Sequence, residues 1–359
     1  MKEFLLDCSL EELGRIVTPP YRAKQIFQWV YQRYVSDFGD ISTLPKAVRA
    51  ELNERFTLNA VSIAAKQKSV DESEKYLFRL ADDHTIEAVL LLMREAQEDG
   101  DRVTRQAQWT ICVSTQVGCK IGCAFCMTAK GGFKRDLSAG EIVAQVLAIK
   151  RDRQIPPEKS LNVVYMGMGE PLDNLENVAK AIGILSCEFG LHISPRRQTL
   201  STSGISPKIE TLGKMNLGVL LAISLHAIDD ETRSKLMPIN KAYNIESIID
   251  ATRRFPIDLR KRMMFEYLMI KGVNDSIDCA RKLVKLLNPL RAKVNLIAFN
   301  PREESNFERP DRASMEAFQR FLLDCGVLCV IRQSRGIDID AACGQLRERL
   351  SPLLRHTVS

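Results

Sequence analysis

Three thiols crowd one short stretch of this chain. GCKIGCAFCMTAKGGF, residues 118–133, carries Cys119, Cys123 and Cys126 in a C-x3-C-x2-C pattern. Thiolates are soft metal ligands, so three of them on one loop point to metal chemistry. Structural zinc takes four protein ligands, commonly as two paired elements. Here there is a single element, and neither Cys nor His occurs within the next dozen residues. A set one ligand short suits a 4Fe-4S cluster that leaves its fourth iron to something other than protein. A zinc knuckle completed by a distant residue is the alternative.

A second candidate is GMGEP, Gly167–Pro171, where glycines permit close backbone approach and Glu170 can accept from an ammonium group. The remaining thiols read differently. Cys112 lies inside the apolar run TICVS, where a free cysteine is ordinarily a small core residue. Cys343 sits between alanines and Gly344, and Cys8, Cys187, Cys279, Cys325 and Cys329 match no pattern and are read as structural. Glu87, in TIEAVLLL, alternates outward on a strand, a position that is usually solvated; His226 alone reads as a hydrogen-bonded core residue.

The elements that must position these groups change character along the chain. In PYRAKQIFQWVYQRYV the apolar residues Ala23, Ile26, Phe27, Val30, Tyr31 and Tyr34 follow helical spacing, with Pro20 placed for a first turn. A second helix runs from near STLPKAV to about Phe56. Residues 1–60 therefore form a small helical module with a basic outer face. Residues 61–104 read as a short antiparallel run, VSIAAKQKSV, KYLFRL and TIEAVLLLM, followed by a polar loop, REAQEDGDRVTRQ.

From 105 to about 355 buried strand-like segments alternate with amphipathic helices. The strands are WTICVS, LNVVYMG, RQTLST, GVLLAISL, RMMFEYLMI, AKVNLIAF and LCVIR. That rhythm predicts an α/β fold with a parallel sheet of βα units. Six or seven units fall short of the eight of a closed barrel, so a partial (β/α)6-type barrel is expected. Its active site belongs at the carboxyl ends of the strands, where the cysteine loop, GMGEP, Ser201, Ser224, Leu225, His226 and Asn300 all fall.

Cysteine loop and βα setting together resemble the radical S-adenosylmethionine (SAM) superfamily. Further stretches are similar to one family within it, the RlmN type of adenine-C(2) methyltransferases of 23S rRNA and tRNA. They are TICVSTQVGC, FCMTAKGGFKRDL, MGMGEPLDNLENV, TLSTSG, ISLHA, PINKAYNIE, NLIAFNP and RGIDIDAACGQL. A Cfr-type branch, acting on carbon 8 of the same rRNA adenine, shares the cysteines; the N-terminal module and the FCMTA and RGIDIDAACGQL wording are closer to the RlmN type.

The resemblance implies one 4Fe-4S cluster on Cys119, Cys123 and Cys126, with SAM chelating the open iron. An electron from the cluster then splits SAM into methionine and a 5′-deoxyadenosyl radical. Gly169 and Glu170 inherit contact with the SAM amino group, and Ser201, Ser224, Leu225, His226 and Asn300 match other SAM contacts. Cys343 matches a methyl-carrying cysteine on a mobile loop, Cys112 the cysteine that resolves the protein–RNA link, and Glu87 a proton acceptor. Two SAM molecules serve each turnover, because carbon 2 of adenine is too inert for direct polar methylation.

Composition sets outer bounds. With 45% hydrophobic and 27% charged residues, 359 residues make a globular chain. The N-terminus turns acidic too soon for a signal peptide and no apolar run spans a membrane, so a reducing cytoplasm and no membrane contact are expected. A net charge of +6 permits an anionic partner. Basic groups occur at Arg196-Arg197, Arg253-Arg254 and Arg260-Lys261-Arg262, and Phe133, Lys134 and Arg135 adjoin the cluster loop. The implied partners are 23S rRNA, tRNA and an electron donor such as flavodoxin, with the chain a monomer. A non-enzymatic RNA-binding protein with a structural metal, or a glycyl-radical activase, are the competing readings.

Overall fold

The structure is a computed structural model, described for residues 2–95, 97–99, 102–105, 107–159, 161–257, 262–301 and 305–347. Ten strands form one sheet whose spatial order reverses the chain order from end to end. We number them β1 (Val61–Lys68), β2 (Glu74–Leu80), β3 (Thr85–Arg94), β4 (Gln108–Cys112), β5 (Asn162–Tyr165), β6 (Gln198–Thr202), β7 (Leu220–Ser224), β8 (Met263–Met269), β9 (Ala292–Ala298) and β10 (Leu328–Arg332). β4 to β10 are parallel, each paired to the next; β1 to β3 join β4 as an antiparallel extension. The outermost strands do not pair with each other, so the barrel is open.

The connections are the expected helices: α4 (Ala139–Asp152), α5 (Leu175–Ser186), α6 (Ser206–Met215), α7 (Asp230–Leu236) with α8 (Ile245–Arg254), α9 (Ile277–Leu287) and α10 (Arg312–Asp324). Their starts are legible in side chains. Ser138 and Glu141 make a reciprocal capping box on α4, and Asp229, Asn244, Ser276 and Asp311 each cap a helix N-terminus.

Before the sheet lie α1 (Leu10–Ile16), α2 (Arg22–Phe27, continued by a π-helical turn to Gln32) and α3 (Lys46–Arg55). The predicted apolar stripe is buried at Ala23, Ile26, Phe27, Val30 and Tyr31. It does not extend to Tyr34, which takes φ 59° and sends its hydroxyl to the Ile155 carbonyl at 2.7 Å. One hydrophobic core runs from Leu5, Phe27 and Tyr31 through Val143 and Ile182 to Val163. Each such aliphatic side chain contributes about 1.5–3 kcal/mol. Asp7 also accepts the Gly140 N–H at 2.6 Å, which ties the module to the start of α4.

One further expectation changes. The polar loop after β3 contains a two-stranded hairpin, Gln97–Asp99 with Arg102–Arg105. Arg253 and Arg254 pair with Asp250 and Glu210, a solvated helix face. Arg260 and Lys261 lie outside the described residues.

Candidate functional site

The cysteine loop leaves the carboxyl end of β4 as an excursion closed at its base. Gln116–Gly118 pairs with Phe133–Asp136, and the Cys119 N–H donates to the Gly132 carbonyl at 3.0 Å. Inside, the Ala124 N–H donates to the Leu236 carbonyl at 2.9 Å, bracing the loop on the end of α7. Cys119, Cys123 and Cys126 all line one cavity over the barrel, together with Gly167, Gly169, Glu170, Ser201, Ser224, His226 and Cys343.

Do these thiols fit a cluster? Among the described residues no three Cys, His, Asp or Glu side chains converge on a single ion position. In a cluster each thiolate serves its own iron, so the three sulfurs need not converge on one point. Burial pushes the Cys119 thiol up to about 12 and raises Cys123 well above its ordinary value. Buried thiols of that kind ionise when iron supplies the compensating charge. The donor set fits three irons and leaves none for a fourth.

Gly169 has φ 106°, and a Cβ there would lie 2.7 Å from the Gln116 Cβ, so the turn after β5 admits only glycine. Glu170 is buried; it accepts from the Ser203 N–H at 2.7 Å and the Leu172 N–H at 3.1 Å, stitching the ends of β5 and β6 together. Burial raises its pKa, and these bonds oppose the rise.

His226 adopts φ 60° just after β7. Its Nδ1 accepts the Leu268 N–H at 3.0 Å, which assigns the proton of the neutral ring to Nε2 and makes that atom a donor. Burial, with Arg233 nearby, lowers its pKa to about 3.

Leu225 and Asn300 do not line this cavity. Leu225 is wholly buried, and its carbonyl accepts from Arg233. Asn300 donates to the Cys343 carbonyl at 3.2 Å and accepts from Arg309 at 3.2 Å, so it holds the segment that carries Cys343.

That segment is pinned rather than loose. The Met127 N–H donates to the Gly344 carbonyl at 2.8 Å, Thr128 Oγ1 to the Leu346 carbonyl at 2.8 Å, and the Arg347 N–H to Glu87 Oε2 at 2.9 Å. Cys343 is accessible yet faces the cavities, where surrounding protein raises its thiol pKa; Glu266 adds to the rise and Arg332 opposes it. Cys343 also lines a second cavity deeper along the barrel, which contains Cys112. Burial, then Cys343, pushes the Cys112 thiol up to about 12.

Glu87 is a correction. It is buried, not solvated, and pairs with Lys75 at 3.3 Å; burial raises its pKa against that pull. It lines neither cavity. Arg135 is likewise occupied, held by Asp82 and by both oxygens of Glu141.

Sequence reading missed Glu266 and Arg233. Glu266 lines both cavities and is held by Asn295 Nδ2 at 2.7 Å. Its signal was a lone carboxylate within RMMFEYLMI. Arg233 is wholly buried and donates to the Ser203, Ser224 and Leu225 carbonyls and to Asn240. It has no carboxylate partner among the described residues, and so fastens the ends of β6 and β7 to the turn after α7.

An open parallel barrel with three thiols at its rim defines a radical SAM protein, and the radical SAM superfamily model matches residues 113–284. The model of the ribosomal RNA large subunit methyltransferase N-terminal domain matches residues 5–58. A dual-specificity RNA methyltransferase RlmN of a Nitratiruptor species is 61% identical over 96% of this chain and 98% of its own. The RlmN of Campylobacter concisus is 59% identical over 99% and 94%. Among solved structures, a radical SAM methyltransferase from Sphaerobacter thermophilus has a TM-score of 0.89 at 40% identity, covering 97% of this chain and all of that one. The chain belongs to the RlmN family of radical SAM methyltransferases.

Proposed function

We propose that the chain methylates carbon 2 of adenosine in 23S rRNA and in tRNA through a methylated Cys343. The observation that carries this reading is the position of Cys343, which lines both the cluster-side cavity and the cavity that holds Cys112. When bound, the 4Fe-4S cluster and two SAM molecules supply a transferable methyl group and a one-electron route to hydrogen-atom abstraction. Cys119, Cys123 and Cys126 hold the cluster; Gly169, Glu170, Ser201, Ser224 and His226 surround SAM, and Leu225 and Asn300 brace that wall.

Cys343 Sγ gives up its proton and takes the methyl group. Its S-methyl carbon later loses a hydrogen atom and bonds to carbon 2 of the base, which must be extruded from the RNA to reach it. The ring then gives up its carbon-2 proton to a protein base and one electron, for which the bound, oxidised cluster would be the acceptor. Cys112 Sγ attacks Cys343 Sγ, forming a disulfide and breaking the sulfur–carbon bond, and a proton completes the new methyl group. Glu87 is the proton acceptor in this reading. Because Glu266 lines both cavities and Glu87 neither, Glu266 is the second candidate, and Glu87→Gln against Glu266→Gln separates them.

We assign residues 1–60 to a helical RNA-binding accessory domain, 61–104 to a β extension and 105–355 to the catalytic core. The enzyme works as a cytoplasmic monomer reduced by a donor such as flavodoxin; no helix among the described residues is long and apolar enough to cross a membrane. The test is mass spectrometry of RNA from cells lacking the protein: 2-methyladenosine disappears, and it returns with the wild-type chain but not with Cys343→Ala. Unchanged 2-methyladenosine in those cells would overturn the reading.

A further inference from the structure

Most cations on this surface already have a partner. Arg135 grips Asp82, Lys120 meets Asp173, Lys180 meets Glu12, Arg254 meets Glu210 and Lys271 meets Glu308. Several of those in the N-terminal module are similarly engaged: Arg15 with Glu11, Arg55 with Glu3, Lys24 over the Phe189 ring and Arg33 over Trp29.

Five arginines without a partner share one cavity. Arg94, Arg196, Arg197, Arg332 and Arg335 have no ion pair, side-chain hydrogen bond or ring contact with any described residue, and all five line the cavity that holds Cys112 and Cys343. They arrive from separate places: the end of β3, the approach to β6, the end of β10 and the segment after it. The cavity's lining has one carboxylate, Glu266, already bonded to Asn295. Two further lining groups, Ser334 Oγ and Asn295 Oδ1, are buried without a protein partner.

Gathering five like charges along one cavity costs self-repulsion that a folded chain avoids unless an anion relieves it. All five are guanidiniums, planar forks that match phosphate oxygens in pairs. A single small anion would need one or two of them. Five arginines drawn from four stretches suit a polyanion whose charges repeat along a backbone.

We propose that these arginines are the main electrostatic anchor for the substrate RNA, gripping the phosphates on either side of the extruded base. The inference rests on the RNA-methyltransferase reading and goes beyond it by moving the anchor from the N-terminal helices to the cavity around Cys343. The grip places the target nucleotide as well as attracting it, because the residues that hold the backbone share a chamber with the residues that react.

The test uses the iron-loaded enzyme and unmodified tRNA from cells lacking it, with affinity measured between about 50 and 200 mM salt. Arg196→Gln/Arg197→Gln and Arg332→Gln/Arg335→Gln should each weaken binding at least tenfold. Each pair should also flatten the slope of log affinity against log salt by about 1.4, or roughly 0.7 per lost phosphate contact. The Arg196→Lys/Arg197→Lys pair keeps the charge and so keeps the slope, which a collapsed barrel would not do. Full affinity and slope in both Gln pairs, with loss in Lys24→Gln/Lys46→Gln, would overturn the proposal. Wild-type enzyme that binds no RNA would instead defeat the parent reading.

Discussion

The two cavities that meet at Cys343 are made of opposite materials. The one beneath the cysteine loop is built from thiols, glycines and internally bonded polar groups, with Glu170 taken by two backbone N–H groups and His226 by a third. The other is lined by guanidiniums that have no ion pair with any described protein group. The first resembles a finished interior, preorganised so that little moves when a cofactor arrives. The second is left electrically incomplete, as a surface awaiting a large partner must be. The two chambers meet along a shared wall that includes Cys126, Glu266 and Cys343.

The sharpest way to break that comparison is to remove the shared thiol proposed to carry the methyl group. Cys343→Ala should abolish methyl transfer while iron content and SAM cleavage persist; residual 2-methyladenosine in the product RNA would show that the methyl group does not pass through Cys343. Next is Cys126→Ser, which should strip iron and SAM cleavage but leave RNA affinity within about twofold, checked by metal analysis and filter binding.

Gly169→Ala forces a Cβ into Gln116. Strain of about 1–3 kcal/mol there should weaken SAM binding roughly 10- to 100-fold, read by equilibrium dialysis, with RNA binding unaffected. Asn300→Ala removes the hydrogen bond to the Cys343 carbonyl. A loss of about 1.4 kcal/mol corresponds to roughly tenfold in the rate of methyl transfer, with the KM for RNA unchanged.

The smallest effect is on pH. Folded His226 has a pKa of about 3, below the ordinary histidine value of 6.5. Below that ordinary value the unfolded chain binds a proton that the folded one refuses, so stability falls as pH drops from 6.5 toward 3. His226→Gln should flatten that part of a urea-denaturation series; an unchanged profile would place the acid sensitivity elsewhere.

Much of the scaffold could be read beforehand, because strand and helix periods are local. WTICVS, RQTLST and AKVNLIAF each became a parallel strand, and the cysteine loop, GMGEP and His226 fell at the strand ends that barrel logic requires. What escaped were relations across the sheet. Glu87 looked solvated because alternation on β3 says nothing of Arg347, which lies 260 residues away and covers it. The Cys343 loop looked mobile from its glycines, yet Gly344 is where its backbone meets Met127. Arg233 sits in a charged, helical stretch that nothing local marks as interior. Of the five unpaired arginines, Arg196 and Arg197 were visible as a doublet, but their company was not.

The hydrogen bonds of the last described segment reach far back along the chain. Gly336 donates to Asp71, Asp338 receives Ser69, and Arg347 donates to Glu87. During synthesis every barrel strand is complete before this clasp emerges, so the nascent polypeptide stays unarmed until its final stretch folds home. A message cut short after β10 would encode every barrel strand but not Cys343.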